Sequence, residues 1–509
     1  MRIGLAGCWI TCVLVVAVGC SNAAEHPLRS ASNEAAAFPP APAGTARSVR
    51  APRLLLKGVT VVDGTGAPAR EGQDILIVGA KIADMQASID DPSAVVLDVG
   101  GQTVLPGLID CHTHTQSVPG AALRGDSPEL IERQRRLQLR AYLASGVTTV
   151  LDTGISRPML LRFRRYLAEG EPGPSLFALS PFLTPKGGYF GTEGLRTAIY
   201  ADIWEPIEGT ESIGKQLREA VALSPLGVKV TVEPGMVFPI WPVFSTEQLA
   251  TIKQEAAAAG LLIFVHSMNN EAHRTALTLE PHALVHVGLG YETIAPDVLE
   301  SIKRSGAYVI STLAVFEMES WFWDQSAMRQ PWIEARVPIA QWQTANDPTT
   351  RNRGLDMMTP LVTPTWIPGW LARAGARFVR GAKSGRRELA SSQRAVRAMH
   401  EAGIPIVMGA DAGNWPVFTT FFHGVGSLVE MGLLEEAGLP RNEVIVTATS
   451  RAAKMLKQDD RIGTVRIGLD ADLIVVPNNP LEHGMQALRE ISWVIKRGVA
   501  KTPQAWLSE

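Results

Sequence analysis

Short apolar runs typical of buried β-strands alternate with helical patterns through the middle of the chain. The runs occupy residues 104–114, 146–153, 176–183, 227–232, 261–267, 283–287, 307–313 and 404–410. Helical segments separate them, for example 129–145, 246–260 and 391–402. Strands that alternate with helices in this way predict an α/β fold, a closed parallel (β/α)8 TIM-like barrel. A doubly wound open sheet is the alternative, but no glycine-rich dinucleotide-binding loop follows the first strand.

Both ends of the chain carry a different pattern, short strands punctuated by glycine and proline as in antiparallel β structure. These strands are predicted at 54–63, 74–78, 94–99, 471–476 and 491–498. We therefore expect one small β domain built from residues 53–104 and 461–509. The barrel is then expected at 105–460.

Residues 1–20 have the features of an export signal. Arg2 is followed by a short apolar run and by small residues that lead to Cys20, as in a secretory signal peptide. Residues 17–20 resemble the processing site of bacterial lipoproteins, which predicts an exported protein anchored through a lipidated Cys20. Ordinary secretion and an uncleaved anchor are the alternatives. The Ala-, Pro- and Ser-rich stretch 21–52 is predicted to be a flexible linker.

The composition excludes several classes of function. The 509 residues include 48 Lys and Arg and 50 Asp and Glu, so nucleic acid is not a predicted partner. Of the four cysteines, Cys8, Cys12 and Cys20 lie in the signal segment, which excludes a disulfide scaffold and a cysteine-rich zinc module. The expected partner is a small-molecule or dipeptide-like substrate. Membrane contact is expected through a lipid anchor alone, and a homo-oligomer is compatible with the sequence.

Two histidines, His112 and His114, end the first predicted strand. Side chains alternate along a strand, so both are expected on one face with Asp110, while Cys111 and Thr113 point away. Two imidazoles on one face can bind a single metal ion, and parallel barrels have their active sites at such strand ends. Two surface histidines are the alternative interpretation.

Lys229 lies within the fourth strand, where alternating valines face the helices and the lysine points into the barrel. A buried lysine is costly to leave charged and unpaired. It could form an ion pair with Asp110 or Asp411. It could instead react with carbon dioxide and become a carbamate that bridges two metals.

Three further polar side chains end apolar strands: His266 the fifth, His286 the sixth and Asp411 the eighth. Either histidine alone is better explained as a buried core residue. Their occurrence at successive barrel strands favours metal binding. An aspartate between small residues, as at position 411, can bind metal and take a proton from bound water.

Together these motifs resemble the amidohydrolase superfamily of metal-dependent hydrolases, in particular its imidazolonepropionase-like and dipeptidase-like members. The resemblance covers about residues 54–499 and includes 463–474, which in that family returns the chain to a β-sandwich domain. The metal ligands that it implies are His112, His114, Lys229, His266, His286 and Asp411.

The resemblance also implies a role for each ligand. His112 and His114 bind the more buried of two divalent ions, the histidines of strands five and six bind the second, and a carbamylated Lys229 bridges both. Asp411 binds the first ion and is the catalytic general acid/base. Zinc is the default ion, with manganese, iron and cobalt as alternatives. A hydroxide held between the ions would attack a carbonyl, and Asp411 would pass its proton to the leaving nitrogen.

Four residues are candidates for substrate contact. Tyr189 follows two glycines after strand three, where similar enzymes often carry histidine, and His423 lies beyond strand eight. Trp321 and Trp323 belong to an insertion at about 315–376 that holds half of the twelve tryptophans. This aromatic content predicts an ordered lid over an apolar substrate group. Packing, or a dimer contact in the case of the insertion, is the alternative.

The leading prediction is therefore a dinuclear metal hydrolase that cleaves the carbon–nitrogen bond of an amide, a cyclic amide or a dipeptide-like substrate. Ester or organophosphate hydrolysis at the same site is an alternative. A barrel that has lost catalysis and acts as a binding protein is a third hypothesis, from a different class.

Overall fold

A computed structural model describes residues 47–189, 204–223, 225–234, 241–288, 293–362, 367–372, 374, 382–413 and 418–508. The predicted signal peptide, with Cys20, and the linker up to residue 46 lie outside the described residues. Ser48–Arg50, within the predicted linker, forms a strand, so the prediction of a flexible linker as far as residue 52 is wrong. None of the helices in these ranges is long and apolar enough to cross a membrane.

The strands are numbered in chain order. They are β1 Ser48–Arg50, β2 Arg53–Val61, β3 Arg70–Val78, β4 Lys81–Gln86, β5 Val95–Leu97, β6 Thr103–Pro106, β7 Leu108–Thr113, β8 Val147–Asp152, β9 Ser175–Ala178, β10 Phe182–Pro185, β11 Trp204–Ile207, β12 Gly227–Thr231, β13 Leu262–His266, β14 Ala283–Val285, β15 Tyr308–Ile310, β16 Ile406–Val407, β17 Leu473–Val476, β18 Trp493–Lys496 and β19 Val499–Lys501.

The helices are numbered in the same way. They are α1 Ala121–Arg124, α2 Pro128–Ala144, α3 Arg157–Ala168, α4 Thr210–Val221, α5 Thr246–Ala258, α6 Asn270–Leu277, α7 Pro296–Ser305, α8 Ala314–Trp323, α9 Pro331–Glu334, α10 Ile339–Asn346, α11 Pro348–Val362, α12 Ala382–Glu401, α13 Val425–Glu436, α14 Arg441–Thr447, α15 Ser450–Met455, α16 Pro480–His483 and α17 Pro503–Leu507. Residues Met485–Glu490 form a 3-10 helix.

A nine-stranded sheet is assembled from both ends of the described chain. Its order is β1-β19-β18-β17-β6-β2-β3-β4, with β5 paired to β2. Strand β17 pairs antiparallel with β6, so a C-terminal strand lies in the middle of the sheet. Leu54, Ile75, Leu473 and Ile495, drawn from both chain ends, are buried together in one core. Both chain ends therefore contribute strands to one sheet and side chains to one core, whereas the domain bounds stay a prediction.

Eight parallel strands carry the site. Strands β7-β8-β9 form one sheet, and β12-β13-β14-β15-β16 are consecutive neighbours in another. Two parallel bridges join the sheets, Leu179 to Gly227 at one junction and Thr113 to Ala412 at the other. Strands β10 and β11 continue the second sheet beside β12. The (β/α)8 barrel predicted from the strand–helix alternation is confirmed.

Side chains on the barrel strands follow the expected alternation over most of their length. Val228 and Val230 pack in the same core as residues of the surrounding helices. Phe264, Val285 and Ile310 belong to a separate interior cluster that helix α15 closes. The interior is therefore a packed core, and the candidate site residues other than Lys229 lie at or near the ends of the strands.

The run predicted as the first barrel strand is two elements. Residues up to Pro106 form β6 in the nine-stranded sheet, and β7 begins at Leu108. Between them Gly107 donates its N–H to the carbonyl of Asp472 at 2.8 Å, and a Cβ at this position would overlap Thr148. The predicted third strand is likewise divided between β9 and β10. Hydrophobic pattern cannot detect these breaks, because both parts of each run are apolar and mostly buried.

The insertion predicted at about 315–376 contains helices α8 to α11. It contacts the segment that follows β7. Arg124 donates a hydrogen bond to the hydroxyl of Thr344, and Arg353 Nη1 donates to the carbonyl of Leu123 at 3.0 Å. The described part of the insertion is therefore ordered and docked on α1.

Candidate metal centre

His112 and His114 face Asp411 at the junction between β7 and β16. The Nε2 atoms of His112 and His114 lie 3.1 and 3.0 Å from the same carboxylate oxygen, Oδ1 of Asp411. The backbone fixes this junction, because Asp411 N donates to His112 O at 2.8 Å. Residues almost 300 positions apart in the sequence therefore meet at one point, as the sequence predicts.

The alternation along β7 differs from the prediction. Between Asp110 and Thr113 the strand advances by three residues while its partner β8 advances by two. Such a bulge moves the following side chains to the other face. Ile109 and Cys111, two residues apart and on one face of the strand, both pack in the interior cluster. The carboxylate of Asp110 bonds to the hydroxyl of Ser427 on α13, so the expectation that Asp110 shares the face of the two histidines is wrong.

Asp411 is 1% exposed and has a backbone φ of +53°, in the left-handed region that L residues rarely adopt. Burial alone would raise the pKa of its carboxyl group. The charge attraction of His112 and hydrogen bonds with His112 and His114 hold that pKa well below its usual range. The site therefore presents an ionised carboxylate, which attracts a cation.

His286 reaches the site through an unusual backbone conformation. Val285 points into the interior cluster, so regular alternation would turn His286 outward. A φ of +75° turns the chain instead. The ring centroid of His286 then lies 4.8 Å from that of His112 and 4.6 Å from that of His266.

A single hydrogen bond sets the orientation of the His286 ring. Its Nδ1 lies 2.9 Å from the hydroxyl oxygen of Thr312, which leaves the other ring nitrogen for a ligand. Candidate ligand atoms of His112, His286 and Asp411 all lie within 4.8 Å of one another. This spacing allows the three side chains to bind metal at one centre.

His266 ends β13 and is buried. Its Nε2 has no hydrogen-bond partner among the described residues, and a buried polar atom of that kind points to a missing ligand. Burial lowers the pKa of His266 well below its usual range, and it lowers that of His112 to about 3. Neutral imidazole is the form that binds metal.

Lys229 is 1% exposed, and its Nζ lies 5.4 Å from the centre of the Phe182 ring. Asp411 and Asp152 attract it, yet no carboxylate oxygen of the described residues is within the 4.0 Å of an ion pair. Burial lowers the pKa of the amine to about 7. The ion-pair alternative with Asp110 or Asp411 is therefore absent from the described structure.

This donor set fits a divalent metal. Buried neutral imidazoles and an ionised carboxylate are the ligands that zinc and related ions take in proteins. His266, with its unpartnered nitrogen, extends the set beyond the cluster of His112, His286 and Asp411. The fit rests on the chemistry and burial of the side chains.

The sequence model of the amidohydrolase family matches residues 103–500. The chain belongs to this family. It is 26% identical to D-aminoacylase of Alcaligenes xylosoxydans xylosoxydans over 276 residues, 50% of this chain and 51% of that protein. It is 21% identical to ochratoxinase of Aspergillus niger over 460 residues, 83% of this chain and 80% of that protein.

Solved structures of the amidohydrolase fold cover more of the chain. A Xaa-Pro dipeptidase with methionine bound in its active site superposes with a TM-score of 0.65 at 21% identity, covering 88% of this chain and 99% of the dipeptidase. At that identity the likeness supports the barrel fold alone. Among the first curated relatives the chain spans about half of their length or less.

Two further acidic residues lie at barrel strand ends and carry the same sequence signal that marked the candidate ligands. Asp152 ends β8 and accepts hydrogen bonds from the backbone and hydroxyl of Thr115. Glu233, just after β12, accepts from Met268 N at 3.0 Å and from Asn269 Nδ2 at 2.9 Å. Each carboxylate ties one strand end to a neighbouring loop.

Of the candidate substrate contacts, Tyr189 lies at the site. Its ring is 4.3 Å from that of His266 and 5.2 Å, edge to face, from that of Trp241. Tyr189 is 6% exposed, so the pair forms an aromatic wall beside His266. Its contact with substrate stays a prediction.

His423, Trp321 and Trp323 make their contacts within the protein. Nδ1 of His423 lies 2.9 Å from the hydroxyl of Tyr142, and its Nε2 lies 2.9 Å from Ser117 O. Both ring nitrogens are thus occupied, and His423 braces the loop after β7. The indole of Trp321 donates to Oε1 of Glu317 and its ring packs near Phe422, whereas Trp323 packs edge to face on Phe322. These contacts favour the packing alternative.

Proposed function

We propose that this chain is a metal-dependent hydrolase that cleaves the carbon–nitrogen bond of a small amide, cyclic amide or dipeptide-like substrate. The observation that carries the proposal is the meeting of buried neutral imidazoles with the ionised Asp411 at the strand ends of an amidohydrolase barrel. The names of the aminoacylase and dipeptidase relatives support the same bond class.

The proposed centre holds two divalent ions, with zinc as the default. His112, His114 and Asp411 would hold one ion, and His266 and His286 the other. When bound, such ions lower the pKa of water and polarise a carbonyl group. Ester or organophosphate hydrolysis would use the same ligands, so only a substrate panel separates these activities.

Lys229 is proposed to carry a carbamate that both ions share. The neutral amine nitrogen would form a bond to the carbon of carbon dioxide and release one proton, which converts the buried amine into an anionic oxygen ligand. The absence of an ion pair at Nζ among the described residues and the position of Lys229 inside the barrel support this step. A lysine that is already paired with a carboxylate would not require carbamylation to avoid a buried, unpaired charge.

Asp411 is proposed as the proton carrier. As water adds to the carbonyl carbon, Asp411 would accept its proton. It would then deliver that proton to the nitrogen as the carbon–nitrogen bond breaks. Tyr189 and Trp241 would line the side of the pocket beside His266 and exclude water there.

The test is a substrate panel on the purified full chain. N-acyl amino acids, dipeptides, cyclic amides, esters and phosphotriesters would be compared before chelation, after chelation and after return of zinc. We expect turnover of at least one amide class, its loss on chelation and its recovery with zinc. Asp411→Asn should lower kcat by roughly 100- to 10,000-fold, while Asp297→Asn, in an exposed ion pair with Arg274, should leave it unchanged.

Three outcomes would contradict the proposal. A chain without bound metal whose activity survives Asp411→Asn would exclude a metal hydrolase. Turnover of phosphotriesters or esters alone would favour the alternative chemistry. Binding of amides without turnover in the metal-loaded protein would favour a binding protein.

Export is part of the proposal, supported by the signal-like residues that end at Cys20. The full chain would be expressed in bacteria and the membrane fraction examined by mass spectrometry of the N-terminal peptide. We expect a lipid-modified Cys20 at the new N-terminus, and loss of this modification in Cys20→Ser. A mature chain that begins elsewhere would exclude the lipid anchor.

A further inference from the structure

Helix α13 places two polar side chains one turn apart in its buried face. Ser427 and Glu430 are each 0% exposed, among buried neighbours such as Leu428 and Met431. A buried hydroxyl and a buried carboxyl are costly unless each finds hydrogen-bond partners. The hydrogen-bond partners of both side chains lie next to residues of the candidate metal centre.

Glu430 contacts both sides of Thr312. One carboxylate oxygen accepts from the hydroxyl of Ser311, and the other accepts from Ala314 N at 2.5 Å. These contacts clamp the turn between β15 and α8 from both directions. Thr312, in the middle of that turn, has a φ of +51°, which a β-branched residue adopts only when its surroundings impose it.

Thr312 in turn holds a candidate ligand. Its hydroxyl lies 2.9 Å from Nδ1 of His286. His286 itself has a left-handed backbone, so the position of its ring depends on this hydroxyl as well as on the chain. The path therefore runs from Glu430 through the turn at Thr312 to His286.

Ser427 reaches the other side of the centre. Its hydroxyl donates to Oδ2 of Asp110 at 2.6 Å. Oδ1 of Asp110 accepts from His112 N at 3.1 Å and from Ala410 N at 3.0 Å, next to Asp411. Asp110 thus joins the backbone of two ligand-bearing strands, and Ser427 fixes its carboxylate.

We infer that Ser427 and Glu430 are positioning residues through which one turn of α13 aligns both halves of the metal centre. Glu430 fixes the imidazole of His286 through Thr312, and Ser427 fixes His112 and Asp411 through Asp110. The inference rests on the proposed metal function.

The sharpest test compares Thr312→Val with Thr312→Ser. Valine keeps the branched shape without the hydroxyl, and serine keeps the hydroxyl. Zinc affinity would be measured by chelator competition on the full chain, and the visible spectrum of the cobalt-loaded protein would report ligand geometry. We expect Thr312→Val to weaken zinc binding about 10- to 100-fold and to alter the cobalt spectrum. Thr312→Ser should retain both properties.

The same readouts apply to α13. Glu430→Ala and Ser427→Ala should weaken zinc binding, and Glu430→Gln, of the same size and with hydrogen-bonding groups, should restore most of it. Thr447→Val is the control, because that buried hydroxyl donates within α14. If Glu430→Ala fails to fold, the comparison of Thr312→Val with Thr312→Ser tests the positioning role of Glu430. Ser427→Ala tests the positioning role of Ser427.

The outcomes separate the two proposals. Wild-type zinc affinity and cobalt spectrum in both Thr312→Val and Ser427→Ala would overturn the positioning roles and leave the proposed function intact. A wild-type chain that binds no zinc would overturn the proposed function, and the positioning roles with it.

Discussion

Individual histidines in this protein owe their charge state to burial. His273 on α6 is fully buried, with Nδ1 2.8 Å from the hydroxyl of Ser267, and burial lowers its pKa to about 4. In the unfolded chain a histidine titrates near the ordinary value of about 6.5. Between these values the unfolded state binds more protons than the folded state. The contribution of His273 to stability is therefore complete above about pH 6.5 and is lost as the pH falls toward 4.

His273→Gln should flatten this dependence. We expect the free energy of unfolding of the wild type to fall more steeply than that of the variant between pH 6.5 and 4.5, by up to about 1.4 kcal/mol per pH unit. Urea unfolding at several pH values measures the difference, with exposed His483→Gln as the control. Parallel curves for the wild type and His273→Gln would show that burial at this position does not depress the pKa.

At the residue scale, part of the candidate site can be predicted from the sequence. His112, His266 and Asp411 follow from polar residues that end apolar strands. The orientation of His286 does not, because strand alternation turns it outward and a left-handed backbone returns it. The bulge after Asp110 is equally invisible, since every residue near it is compatible with a regular strand. Backbone irregularities of this kind depend on tertiary contacts such as the one between Thr312 and His286.

At the scale of elements, the tryptophan-rich insertion is a set of helices docked on α1 and on the loop beyond β16. Trp342 lies 6.2 Å from Phe422, ring to ring, and Thr420 donates to Met318 O at 2.6 Å. The aromatic content of the insertion predicted that this segment is ordered. It could not distinguish a lid from packing, because both require a buried aromatic face, and the contact partners are far away in the sequence.

Arg124→Ala should loosen this insertion. Arg124 contacts the hydroxyl of Thr344, the carbonyl of Ala340 at 3.4 Å and Asp126 at 2.9 Å, so its loss removes a link between α1 and α10. We expect limited proteolysis within α10 and α11 to become several-fold faster, because local opening exposes the chain. Arg329→Ala, whose partner Asn346 is within the insertion, is the control. Equal cleavage rates in both variants would show that contacts other than those of Arg124 hold the insertion on α1.

At the scale of the whole molecule, the nine-stranded sheet and the barrel are joined by a buried charge. Lys496 on β18 donates to the carboxylate of Asp472 at 2.6 Å, to Thr148 O at 2.8 Å and to the hydroxyl of Ser175 at 2.8 Å. Thr148 and Ser175 belong to barrel strands β8 and β9, whereas Lys496 and Asp472 belong to the C-terminal part of the chain. The sequence predicts that both ends form one domain, but nothing in the local pattern around Lys496 marks it as the link to the barrel.

Lys496→Met tests whether this link carries stability. The side chains of Lys496 and Asp472 are 11% and 4% exposed, so methionine would leave a buried carboxylate without its cation, at a cost of about 3–5 kcal/mol. Lys186→Met removes one partner of an exposed pair with Glu208, and it should leave the free energy of unfolding nearly unchanged. Urea unfolding of both variants gives the comparison. The double variant Lys496→Met/Asp472→Asn should recover much of the loss, because the uncompensated charge is then gone. A double variant as unstable as Lys496→Met alone would assign the effect to the lost hydrogen bonds with Thr148 and Ser175, and so to the contact between the sheet and the barrel.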